Sequence, residues 1–179
     1  MSIEIVYETH ALTEDNERGI ATGWLPGRLS ARGRDNAARM GERRRDDRIS
    51  AVFSSDLYRA AQTAQIAFGD TDIPILYDWR LRECDFGHRN GTPTVDIKQD
   101  LQQHIDQPYP GGESHRQAIH RVTGLLADLP TRWAGQRIMI IGHLATYRAL
   151  EHVVNNATLE EFAAAEFTWR EHGWEYLLG

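Results

Sequence analysis

The chain holds 179 residues, 41 % of them hydrophobic and 26 % charged, with a formal net charge of −6. That balance excludes a disordered class, and its acidic sign argues against a general nucleic-acid binder, whose affinity comes from basic surface. Domains mostly span roughly 100–200 residues, so one domain over residues 1–179 is expected. No apolar run approaches the roughly 18 residues of a membrane span. Met1 to Tyr7 has no basic n-region of a signal peptide. The expected location is therefore cytoplasmic, with no membrane partner. Cys84 stands alone, which leaves no internal disulfide or multi-cysteine zinc site. Nineteen arginines face a single lysine, Lys98. This reads first as compositional bias, although a planar guanidinium also suits an oxyanion clamp.

Ser2 to Glu8 alternates apolar and polar side chains and predicts a strand, followed by a polar loop from Thr9 to Asn16. Leu29 to about Asp47 has the spacing of an amphipathic helix with Ser30 as its cap, and its end, Arg43 to Arg48, reads as a solvated face. Ile49 to Ser54 predicts a second strand and Asp56 to Phe68 a second helix. Asp72 to Tyr77 reads as a strand that Pro74 confines to an irregular or edge position. Gly111 and Gly112 mark a loop before a helix from Glu113 to Leu129, stopped by Pro130. Arg137 to Gly142 is a buried strand and Leu144 to Val154 a helix; Glu166 to Trp169 and Trp174 to Leu178 read as closing strands around His172-Gly173.

Strands alternating with helices indicate an α/β protein: a three-layer α/β/α sandwich with a mainly parallel central sheet. Ligands of such sheets bind beyond the carboxyl ends of the strands. Three predicted strands end at His10, at Ser54-Ser55 with Arg59 close behind, and at His143. Two histidines and an arginine on one rim suit phosphoryl transfer, which needs a neutral nucleophile, donors around the phosphoryl oxygens and an acid for the leaving alkoxide. Imidazole is largely neutral near pH 7. By spacing alone these residues reach only an anion-binding α/β domain, and each also reads as ordinary loop or surface.

Thr9-His10-Ala11 with Thr13 and Asn16, Thr22-Gly23-Trp24, and Ser54-Ser55-Asp56-Leu57-Tyr58-Arg59-Ala60-Ala61-Gln62-Thr63 fall in order along the chain. Leu81-Arg82-Glu83-Cys84, Gly111-Gly112-Glu113-Ser114 and Ile141-Gly142-His143 follow. Together they resemble the histidine phosphatase (phosphoglycerate mutase-like) family. The resemblance implies His10 as nucleophile, Glu83 as general acid and then base, and His143 as a further catalytic group. It also implies Arg59, Asn16 and His143 as phosphate contacts, a small phosphorylated substrate, and no metal or organic cofactor.

One departure stands out. The family places an arginine before the nucleophile, where this chain has Thr9. Arg18, Arg28 and Arg82 are candidates to supply the missing charge. The leading expectation is a metal-independent phosphatase acting through phospho-His10, with hydrolysis favoured over transfer because the chain is short for a cofactor-dependent mutase. The alternative is an impaired phosphoester- or protein-binding module on the same fold. Substrate choice is expected from the loop between Phe86 and Gly112, with Trp79, His88, Arg89 and Tyr109 as lining. A metal hydrolase finds little support: His115 and His120 are five apart and share no helix face, and Asp85 with His88 lacks further ligands. Phe167, Trp169, Trp174 and Tyr176 read as core or as a homodimer contact.

Overall fold

The computed structural model describes residues 1–179. The alternating N-terminal segment forms β1 (Ile3–Thr9), followed by the single turn α1 (Glu14–Glu17), the short β2 (Ile20–Ala21) and α2 (Ala31–Arg44). Next come β3 (Val52–Ser54), α3 (Tyr58–Phe68) and β4 (Ile75–Tyr77), then β5 (Thr92–Pro93) and α4 (Thr94–Asp100). The chain closes with α5 (His115–Asp128), α6 (Pro130–Trp133), β6 (Arg137–Gly142), α7 (Leu144–Asn155), α8 (Leu159–Ala164) and β7 (Trp174–Leu178).

The central sheet runs β4-β3-β6-β1-β7, parallel except for β7, which pairs antiparallel with β1. Side chains alternate across it. Ile138 and Ile140 pack with Ile3, Ile5 and Tyr7 against α5 and α7, while Met139 and Ile141 pack with Val52 against α2 and α3. Helices thus cover both faces. A central strand apolar on both sides is what such cover requires, and each fully buried Ile or Leu contributes about 1.5–3 kcal/mol. No helix is long and apolar enough to cross a membrane.

Local chemistry sets the helix starts. Ser30 caps α2 by accepting from Gly33 N at 3.1 Å, and Ser114 caps α5 with Gln117 in a capping box. Gly33 also permits a close approach, since a Cβ there would lie 1.8 Å from the Leu12 carbonyl oxygen. The first turn of α2 therefore braces the loop that follows β1.

Several sequence expectations need correction. Glu166 to Trp169 is not a strand but irregular chain before β7. Pro130 does not end helical structure: it opens α6 at the first position, where its missing N–H costs nothing. The Phe86–Gly112 segment is not plain loop, because it contains β5 and α4. Arg44 is not solvated. Its Nε donates to Glu8 Oε1 at 2.8 Å, and Arg43 Nη2 to Glu8 Oε2 at 2.8 Å. Glu8 points from β1 into the α2 layer, and burial forces it to find cations there. Of the late aromatics, Trp174 and Tyr176 are buried while Phe167 and Trp169 are exposed.

Candidate active site

His10 is the first residue past β1, and its N–H donates to the Gly142 carbonyl at 2.9 Å, extending the β1–β6 ladder by one step. His143 follows β6 directly. Their rings lie 5.1 Å apart, centroid to centroid. The parallel register of β1 and β6 produces this meeting, as it pairs Thr9 with Gly142.

Partners settle the tautomers. His10 Nδ1 lies 2.8 Å from the Ala11 carbonyl; a carbonyl only accepts, so Nδ1 carries the hydrogen and Nε2 keeps its lone pair. His143 Nδ1 lies 3.3 Å from Arg59 Nη2. A guanidinium only donates, so the His143 hydrogen sits on Nε2. That Nε2 is buried and has no hydrogen-bond partner in the protein. A buried donor left unmade costs about 1–3 kcal/mol.

Arg59, second residue of α3, donates from Nη2 to the Gly23 carbonyl at 2.8 Å and from Nη1 to the Leu25 carbonyl at 3.1 Å. Gly23 adopts φ +55°, and a Cβ there would collide with Asn90 Oδ1 at 1.8 Å. The glycine-tryptophan turn thus presents carbonyls that aim the guanidinium. With His143 as a third partner, two of the five Arg59 N–H groups remain for an anion.

Burial first, and then Arg59, lowers the His10 pKa to about 3. Part of the residue is still solvent-accessible, and the lowered pKa leaves a neutral imidazole near pH 7. Burial, then Arg59, His10 and Arg121, holds His143 well below the usual range as well. Burial lowers the Arg59 pKa to about 10, which leaves it charged.

Glu83 sits at the N-terminus of α7. Its Oε1 accepts from Cys84 N at 2.8 Å and Ala145 N at 3.2 Å, and its Oε2 from Leu144 N at 3.1 Å. N–H groups without partners at a helix start hold the carboxyl group there, and this fixes Glu83 against the residue that follows His143. Asn16 spends its Oδ1 on Thr13 N at 3.1 Å in the α1 capping box, leaving its amide N–H₂ free.

The proposed compensating cations are engaged elsewhere. Arg18 pairs with Asp15 and Arg28 with Glu14, their side chains 67 % and 71 % exposed. Arg82 makes a bidentate pair with Asp56, with N···O distances of 2.7 and 2.6 Å, and stacks over Trp24 at 4.6 Å. None of the three forms a hydrogen bond or salt bridge with His10, Arg59, Glu83 or His143.

The expected substrate lining is scattered. Tyr109 is core, stacked on His104 at 3.8 Å. Arg89 pairs with Asp100, and His88 is exposed. Trp79 lines a separate open cavity of about 670 Å³ beside α5. His115 is buried against Tyr109, and no three His, Cys, Asp or Glu side chains gather as a metal site would need. Sequence reasoning missed Arg121, which donates to the carbonyls of Arg80, Arg82 and Glu83 at 2.7, 3.0 and 3.1 Å and pairs with Glu113. It thereby holds the segment that carries Glu83. The available signal was its place on α5 three residues beyond the buried Ala118.

Residues 9–174 match the model of the histidine phosphatase superfamily, branch 1. The chain belongs to this superfamily. A 2,3-bisphosphoglycerate-dependent phosphoglycerate mutase of a Methylobacterium species is 30 % identical over 90 % of this chain and 85 % of that enzyme. Phosphoglycerate mutase 1 of Saccharomyces cerevisiae is 38 % identical over 49 % of this chain, a match covering only 38 % of the yeast enzyme. Among solved structures, Bacillus stearothermophilus YhfR superposes with a TM-score of 0.82 at 25 % identity, covering 94 % of this chain and 88 % of that one. A mycobacterial glucosyl-3-phosphoglycerate phosphatase shares the fold with a TM-score of 0.81 at 23 % identity, covering 94 % and 89 %. The three-layer architecture with its mostly parallel sheet is that of these histidine phosphatases.

Proposed function

We propose that this histidine phosphatase superfamily member hydrolyses a small phosphorylated metabolite through a phosphohistidine at His10. The observation that carries the reading is the unpartnered His143 Nε2–H beside the free lone pair of His10 Nε2. A hydrogen-bond donor and a neutral nucleophile on neighbouring rings are what a phosphoryl group needs.

In the first step the Nε2 lone pair of His10 forms a bond to phosphorus, the P–O ester bond breaks, and Glu83 in its protonated form gives its proton to the departing alkoxide. In the second, water attacks phospho-His10, Glu83 takes back a proton, and the N–P bond breaks to release phosphate and restore His10. Arg59, His143 and Asn16 hold the phosphoryl oxygens throughout. No metal enters either step. The mutases and phosphatases among the relatives support the reaction class, while hydrolysis in preference to transfer is this reading's own choice.

Thr9 favours a second reading, an impaired module that binds phosphoesters without turning them over. Loss of the arginine at that position removes a charged hydrogen bond, costing about one to two decades of affinity if it acts on ground state and transition state alike. Phosphate release from a panel of phosphorylated metabolites, in chelator, decides between them. Wild type should release phosphate, His10→Ala should fall by at least about a thousandfold, and Thr9→Arg should gain about 10- to 100-fold. Silence from all three, with phosphate esters still bound, selects the module.

A further inference from the structure

Arg148 is a buried cation without a salt bridge. The residue is 7 % exposed and forms no salt bridge, and its hydrogen bonding within the protein consists of Nη1 to His115 Nδ1 at 3.3 Å. His115 is no substitute for a carboxylate, because burial and then Arg148 lower its pKa to about 3 and leave it neutral. Burying a charge this way is costly unless something pairs with it.

Arg148 lines a cavity of about 250 Å³. Leu144, Tyr147 and Arg148 of α7 form one wall, and Phe167, Thr168 and Trp174 face them. Helix spacing puts Leu144 and Arg148 on one face, four residues apart. Leu144 directly follows His143, and its N–H holds Glu83 Oε2 at 3.1 Å. Behind the cavity, buried Tyr7 donates to the His143 carbonyl at 2.6 Å, and its ring lies 5.5 Å from that of Trp174. Arg170, over Trp174 at 5.5 Å, adds a second cation at the exposed rim, where Glu166 also stands.

We infer that this cavity is the subsite for the organic part of the substrate, and that Arg148 binds a second anionic group carried by it, a carboxylate or a second phosphate. The inference rests on the phosphatase reading above. Glu83 has to meet the leaving oxygen, and Leu144, whose N–H holds Glu83, lines this cavity. Aromatic walls and a guanidinium fork suit a compact anionic group better than a neutral sugar or lipid.

Three aryl esters test it: phenyl phosphate, carboxyphenyl phosphate and a benzene bisphosphate. Wild type should prefer one or both doubly anionic esters by about 10- to 100-fold in kcat/KM, expressed mainly in KM. The better of the two names the second anion. Arg148→Gln should bring that ratio to within a few-fold of unity, and Arg148→Lys should retain part of it. If Arg148→Gln fails to fold, Thr168→Glu, at an exposed position of the same cavity, should depress the ratio instead. An equal ratio in folded Arg148→Gln, Thr168→Glu and wild type, or no preference in wild type, overturns the subsite and leaves His10-dependent hydrolysis standing. Should none of the esters be hydrolysed, binding of benzylphosphonate against carboxybenzylphosphonate reads the same ratio in the same variants. Absence of hydrolysis together with an Arg148-dependent ratio overturns the phosphatase reading alone.

Discussion

Two buried charged clusters start at Glu8 in β1 and at His10 just past it, and they differ in how far their polar groups are satisfied. Glu8 accepts from Arg43 and Arg44, and Arg44 also donates to Asp47 at 2.9 Å and to the His172 carbonyl at 2.5 Å. Only Arg43 Nε is left over. The cluster ties β1, α2 and the turn before β7 together. On the rim, His10, Arg59, His143 and Glu83 are equally well positioned, yet Arg59 forms no salt bridge and the buried His143 Nε2–H has no partner in the protein. Carboxylates and guanidiniums paired with one another serve the fold; a buried guanidinium left without a carboxylate is what a ligand anion would pair with. Arg148, buried without a salt bridge, belongs to the second kind.

Arg59→Ala breaks the open cluster and should cost the largest effect, about 10²–10³ in kcat/KM as for loss of an oxyanion donor. Because Arg59 is desolvated without a salt bridge, the midpoint of urea unfolding should move little. A large loss of stability with activity retained would invert the comparison. Arg44→Ala breaks the closed cluster. It strands Glu8 with one cation and should lower stability by about 3 kcal/mol, read as a reduced urea midpoint, with kcat/KM changed only a few-fold.

The smallest expected effect is in pH dependence. His10 and His115 have folded pKa values lowered to about 3, against about 6.5 in the unfolded chain. Between those values the unfolded state binds more protons, so stability is complete above about pH 6.5 and falls as the pH drops, by at most about 1.4 kcal/mol per pH unit for each group. Urea midpoints at pH 7 and pH 5.5 should differ, and His115→Gln should shrink the difference. An unchanged slope in that variant would mean that His115 is not held neutral by the fold.

Periodicity and motif order made much of this protein legible before any coordinates. The alternation of Ile3 to Tyr7, the apolar run Ile138 to Ile141 and the caps Ser30 and Ser114 foretold strands and helices, because local spacing and capping act within a few residues. The same order of elements implied a parallel sheet, and hence a rim where His10 and His143 meet. Other features waited for the fold because they are relations between distant segments. Arg44 looked solvated until β1 supplied Glu8, and Arg148 looked like any helix arginine until α5 offered only a neutral histidine. Arg18, Arg28 and Arg82 looked available until Asp15, Glu14 and Asp56 claimed them. Side-chain chemistry is written residue by residue along the chain, whereas whether a buried charge finds its partner depends on which strands and helices pack against it.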